Sequence, residues 1–187
     1  MDPLHQALAD FVPGDATEII AVERVRALLD ADDAWSRALP LHVTASALVV
    51  HPPTRRVLLR WHPRLGGWFQ VGGHGDPGET DPWTVARREA EEETGLTDLA
   101  APSAALDRRP VQVVVVPVPA ANVEPDHEHA DVRYLFATAD PEAIRPESDA
   151  AAVRWFTLPE ARAAVTEANL HTLLDRAAAR LDTQALT

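Results

Sequence analysis

Three glutamates, Glu89, Glu92 and Glu93, stand at i, i+3 and i+4 in the stretch GGHGDPGETDPWTVARREAEEETGL, which runs from Gly72 to Leu96. On a helix that spacing puts all three carboxylates on one face. Left bare, like charges so placed repel by roughly 0.2–0.5 kcal/mol per pair. A hard divalent cation such as Mg2+ converts the repulsion into coordination, because it prefers carboxylate oxygens and bridges to substrate phosphates. The chemistry open to such a set is metal-dependent hydrolysis of a phosphoanhydride. The plainer alternative is a solvated acidic helix with ordinary i,i+4 pairs, Arg87 with Glu91 and Arg88 with Glu92.

The stretch resembles the signature of the Nudix hydrolase superfamily, G-x5-E-x7-R-E-U-x-E-E-x-G-U, where U is a bulky aliphatic residue. Gly73, Glu79, Arg88, Glu89, Glu92, Glu93, Gly95 and Leu96 occupy its fixed positions. Two departures stand out: eight residues separate Glu79 from Arg88 where the signature has seven, and Ala90 replaces the larger aliphatic. The extra residue falls in Thr80-Asp81-Pro82. Asp81 suits a helix N-cap and Pro82 the first helical position, so the insertion is expected to lengthen a loop without rotating the acidic face. Ala90 shares a helix face with Trp83 and Ala86, and Trp83 has the bulk to fill the space Ala90 leaves.

The resemblance implies Glu92 and Glu93 as metal ligands, with the carbonyl of Gly72 as a further ligand, since glycine lets the backbone approach closely. Glu89 is either another ligand or the base that deprotonates the attacking water. Arg88, with Glu79, is expected to orient the glutamates through charge-assisted hydrogen bonds. Gly73, Glu79 and Gly95 give structural support. The implied cofactor is Mg2+, with Mn2+ as a substitute, and the implied substrate is a nucleoside diphosphate linked to another moiety X. An alternative is a catalytically silent Nudix-like module that senses a nucleotide; the intact acidic set weighs against it.

Other residues are open to more than one reading. Arg60, His62 and Arg64 either hold outer phosphates or end a solvated hairpin. His74 either contacts phosphate or caps the glycine turn. His127, His129 and Asp131 form H-x-H-x-D at the entry of a strand, where alternate residues share a face. They read as a polar pocket wall or as an auxiliary site for a transition metal, which imidazole suits better than it suits Mg2+. Glu124, Asp126, Glu128 and Glu147 are four candidates for one more acid. Trp68, Tyr134 and Trp155 could stack on a base or belong to the core.

The elements that must position these groups change in texture along the chain. Residues 1–35 read as an N-terminal helical extension: Leu4, Leu8 and Phe11 line one short helix. Asp15 with Glu18 resembles a capping box opening a second, with Ile19, Ile20, Val25, Leu28 and Leu29 apolar. Residues 36–187 read as the Nudix domain. Strands are expected at 42–50, 56–61, 68–71, 111–118, 131–137 and 153–156, and helices at 159–165 and 169–181. This is the α/β pattern of a Nudix-type alpha/beta/alpha sandwich with a mixed sheet.

At 187 residues the chain suits one domain with a sizeable core. A formal net charge of -12 argues against a nucleic-acid partner, which needs clustered cations. There is no cysteine, so disulfides and thiolate metal sites are excluded, and its absence weighs against the cysteine-dependent isomerase branch of the superfamily that the resemblance includes. All 17 basic residues are arginine. No signal peptide or membrane-length apolar run is visible, so a cytoplasmic protein with no membrane partner is expected. Residues 1–35 are expected to pack as a cover on the core, with homodimer contacts as the alternative.

Overall fold

A computed structural model describes residues 2–29, 33–120 and 125–184. Glu124 lies outside the described residues. Seven strands form one mixed sheet: β1 (Leu41–His51), β2 (Arg56–His62), β3 (Gly67–Phe69), β4 (Val71–Gly73), β5 (Gln112–Val118), β6 (His127–Ala137) and β7 (Val153–Thr157). The order is β3-β2-β1-β6-β5, with β4 added to β1 and β7 to β2. Among the described residues only the central pair, β1 with β6, is parallel.

Alternation along β1 decides what each face of the sheet meets. Val43, Ala45, Ala47 and Val49 join Val132, Tyr134 and Phe136 of β6 in a cluster under helices α1 (Pro3–Ala9), α2 (Ala16–Leu28) and α3 (Pro82–Thr94). Leu48 and Val50 face the other way, against α4 (Leu158–Ala164) and α5 (Ala168–Gln184). On that second face the preceding β1 residues are polar: His42, Thr44 and Ser46. The sheet is thus sandwiched by helices, except where this polar end borders a cavity.

Two expected strands change extent. β6 starts at His127 rather than 131, because residues from Glu128 onward pair with β1 from Leu41 onward. The expected 68–71 segment divides, β3 pairing with β2 and β4 with β1.

The N-terminal helices pack onto the core through Leu4, Leu8, Ala21, Val22 and Val25. Ile19 and Ile20, apolar residues of the second helix, are 48% and 58% exposed. The capping box is only half formed. Asp15 accepts from the Glu18 amide, but the Glu18 carboxylate reaches Gly14 N (2.6 Å), Val113 N (3.0 Å) and Arg176. Those donors hold the Glu18 carboxyl below its usual range despite its burial. Glu18 therefore ties α2 to β5 and α5.

α3 begins where its caps require. Asp81 accepts from Trp83 N, Pro82 is the first helical residue, and Gly95 closes the helix at φ 73° with its amide on the Glu91 carbonyl. Thr80 and Asp81 precede the helix, so the extra signature residue sits in the turn. Trp83, Ala86 and Ala90 are buried, and the Trp83 ring meets Phe136 at 4.5 Å and Tyr134 at 5.2 Å. Among the described residues no helix is long and apolar enough to cross a membrane.

Candidate active site

The acidic face of α3 meets the glycine turn at the end of β4. Gly72 has φ 145°, and a Cβ there would stand 2.3 Å from Ser46 Cβ, so only glycine fits. Its amide donates to Glu93 Oε2 at 3.0 Å. A Cβ on Gly73 would come within 2.6 Å of Glu89 Oε2, so the second glycine leaves room for that carboxylate. The three glutamates differ in exposure: the Glu93 and Glu89 side chains are 12% and 17% exposed, that of Glu92 57%.

Arg88 ties the assembly together. Its guanidinium donates to Glu79 (2.9 Å), Glu89 (2.9 Å), Glu92 (3.1 Å) and the His74 carbonyl (2.8 Å). The extra residue therefore does not separate Glu79 from Arg88. Burial opposes the charge on Arg88, but Glu79 and Glu89 hold its pKa above the usual value. The same guanidinium lowers the Glu79 carboxyl. Glu89 is raised by burial, which Arg88 only partly offsets. Burial also pushes Glu93 up to about 7, against the opposing pull of Arg60 and the Gly72 amide.

This set fits a hard divalent cation. Glu79, Glu89, Glu92, Glu93 and Glu147 gather around Arg60 and Arg88, leaving carboxylates in excess. Two of the most buried have pKa values raised by burial, and all the side-chain donors are oxygens.

Arg60 lies on this side of the sheet because it alternates in step with Leu58, which faces α3. Its Nη1 stands 3.3 Å from Glu93 Oε1 and its Nη2 2.9 Å from Glu147 Oε2. Of the described acids left open by the sequence, Glu147 is thus the one brought beside Glu93. Glu128 pairs with Arg24, and Asp126 accepts from Ala120 N at 2.7 Å.

A cavity of about 720 Å³ adjoins the two glycines, with His62, Arg64, Trp61 and Trp68 in its wall. Its floor is the polar face of β1 and β6. Asp131 accepts from Ser46 Oγ (2.8 Å), Thr44 Oγ1 (3.2 Å) and Arg133 Nε (2.7 Å), while Arg133 also donates to Gln112 and Asn169. Gln70 Oε1 is buried there with no hydrogen-bond partner among the described residues. Thr44, Ser46, Gln70, Gln112, Arg133 and Asn169 were not singled out from the sequence. Their signal was the alternation of polar residues at 42, 44 and 46 against 129, 131 and 133. Of the three aromatics considered for stacking, Trp68 reaches the cavity. Tyr134 is fully buried beside Trp83, and Trp155 donates to the Pro141 carbonyl at 2.8 Å.

The H-x-H-x-D triplet divides. Asp131 joins the buried network, while His127 and His129 meet His42 and His74 around a second cavity of about 290 Å³. Burial and neighbouring positive groups lower His74 to about 3 and His129 to about 4. His62 is also lowered, by burial and then by Arg60 and Arg64.

The NUDIX domain profile matches residues 40–176, well over half of the chain. No curated protein matches it in sequence. The fold is similar to that of the Ap4A hydrolase of C. elegans in a binary complex, with TM-score 0.59 and 21% identity over 75% of this chain and 98% of that one. It is also similar to a NUDIX-family hydrolase from Clostridium perfringens, with TM-score 0.56 and 25% identity over 76% and 97% of the two chains. The dihydroneopterin triphosphate pyrophosphohydrolase of E. coli gives TM-score 0.54 and 19% identity over 74% and 94%. Because the profile runs through the sheet and the acidic helix alike, the chain belongs to the Nudix family of hydrolases.

Proposed function

We propose that this Nudix pyrophosphohydrolase depends on a divalent cation, Mg2+ or Mn2+, and cleaves the diphosphate linkage of a nucleoside diphosphate joined to another moiety X. The observation carrying this reading is Glu93, a largely but not fully buried carboxyl raised to about 7 within a surplus of carboxylates beside the glycine turn. Glu92, Glu93 and the Gly72 carbonyl would hold the ion, with Glu147 as the acid beyond the helix. When bound, the ion supplies charge neutralisation at the diphosphate.

The chain's own residues do the rest. Glu89 is a further ligand or the base that takes a proton from the attacking water; its raised pKa makes it a better base than a free carboxylate. Arg88 and Glu79 fix Glu89 and Glu92 in place. Water adds to phosphorus, the bridging P–O bond breaks, and two phosphorylated products leave. Arg64, His62 and the aromatic wall of the larger cavity receive the remainder of the substrate.

A panel of ADP-ribose, nucleotide sugars, dinucleoside polyphosphates and oxidised nucleotides tests the reading. Ap4A and dihydroneopterin triphosphate belong in it, as they appear in the names of two structural neighbours. At least one member should yield two phosphorylated products with Mg2+ or Mn2+ and none with chelator. Tight binding of a member with no cleavage would replace the enzyme by a nucleotide sensor.

A further inference from the structure

The smaller cavity gathers imidazoles from three places in the chain. His42 comes from β1, His127 and His129 from β6, and His74 from the turn after β4. The parallel register sets His42 opposite His129. One ligand-capable nitrogen each from His42, His74 and His129 lies within 4.8 Å of the others. Nε2 of His42 is 3.0 Å from Nε2 of His74, and Nε2 of His127 is 3.2 Å from Nε2 of His129.

The far ring nitrogens say which way two of these rings are set. His42 Nδ1 lies 3.0 Å from the Leu39 carbonyl and His127 Nδ1 2.9 Å from the Pro125 carbonyl. A carbonyl oxygen only accepts, so each Nδ1 carries a proton and Nε2 is the nitrogen each ring offers to a metal. A ring anchored by its far N–H on a carbonyl is how metal-ligating histidines are oriented. Around an ion with Zn–N near 2.0–2.1 Å, tetrahedral nitrogens stand about 3.3–3.4 Å apart. The two close pairs need to open by only a few tenths of an ångström, and the other two sides of the His42–His74–His129 triangle, neither longer than 4.8 Å, to close by at most about 1.4 Å.

We propose that His42, His74 and His129, with His127 as fourth ligand, form a binding site for a zinc-class transition-metal ion, separate from the acidic face of α3. The donor set selects the ion: nitrogen ligands favour Zn2+ and its neighbours over Mg2+, for which the carboxylates of α3 are suited. Arg64, His74 and His129 line both cavities, and Arg37 lines the smaller. The ion would therefore sit in the shared wall. It would pin β1, β6 and the glycine turn to one another and present positive charge to an anionic ligand in the larger cavity. This site does not depend on the hydrolase reading.

Zinc titration of the metal-free full chain by calorimetry, with Co2+ absorption as a ligand-field readout, tests it. Wild type should take up one Zn2+ at this site, unaffected by millimolar Mg2+, and should show a visible Co2+ band of imidazole coordination. His129→Gln and His74→Asn should each weaken that binding at least about tenfold, with folding checked by circular dichroism. Glu93→Gln should bind Zn2+ here as tightly as wild type. Absence of saturable Zn2+ binding to wild type would overturn the site. So would Zn2+ binding that is lost in Glu93→Gln and kept in both histidine variants. Saturable binding of inorganic phosphate without any of Zn2+ would make the cavity an anion site instead and equally reject the proposal.

Discussion

Glu93→Gln is expected to lower turnover at least about 100-fold while leaving the fold intact. Residues that merely orient a ligand typically contribute 10–100-fold, so a direct ligand belongs at or beyond the upper end. The substitution keeps the shape and the hydrogen bond, since a glutamine oxygen can still accept from the Gly72 amide. It removes the charge. The sign of the stability effect separates this from misfolding. In the cation-free protein the native pKa of Glu93 is raised from its ordinary 4.5 to about 7. The native state therefore holds a proton that the unfolded chain has already released, and stability falls as pH rises through that window. Glu93→Gln lacks this loss, so at pH 8 without cation it should melt no lower than wild type. The same linkage predicts that wild type needs more cation as pH falls through about 7, where protons compete for Glu93. Wild-type turnover in a well-folded Glu93→Gln would remove Glu93 from the site.

The second large effect falls on stability. Asp131→Ala should destabilise the protein by about 3–5 kcal/mol, the range for breaking one partner out of a buried pair. The Asp131 and Arg133 side chains are 7% and 3% exposed. Without Asp131, Arg133 keeps Gln112 and Asn169, both neutral, and its buried charge is uncompensated. Thr44 and Ser46 lose their acceptor as well. For a chain of this size the melting temperature should drop by roughly 6–20 °C. The double variant Asp131→Ala/Arg133→Met should be less destabilised than the sum of the single changes, because the buried charge leaves with its partner. Thermal unfolding measures both. A shift within about 0.5 kcal/mol, as for an ordinary surface residue, would contradict the network.

The acidic face was legible because its determinants are local. A spacing of i, i+3, i+4 fixes a helix face whatever surrounds it, and Asp81, Pro82 and Gly95 mark where that helix starts and stops. For the same reason the extra residue before Pro82 could be placed in the turn without the structure. What depended on register was not legible. His42 and His74 are 32 residues apart, and only the pairing of β1 with β4 and β6 brings them to His129. Arg60 was open in sequence to holding outer phosphates or to ending a solvated hairpin, and strand alternation turns it toward α3, beside Glu93. In α2 several apolar residues offered alternative faces. Packing chose Ala21, Val22 and Val25 and left Ile19 and Ile20 in solvent. Glu18 fits a capping box locally, yet the Val113 amide and Arg176 draw its carboxylate away from Asp15.

Mn2+ binding, followed by electron paramagnetic resonance during titration of metal-free protein, tests most directly whether the acidic helix and glycine turn hold the catalytic cation. Wild type should immobilise Mn2+, Mg2+ should displace it, and Glu93→Gln should lose that binding in step with its activity. Activity without any divalent cation, or Mn2+ binding undiminished in Glu93→Gln, would contradict the account.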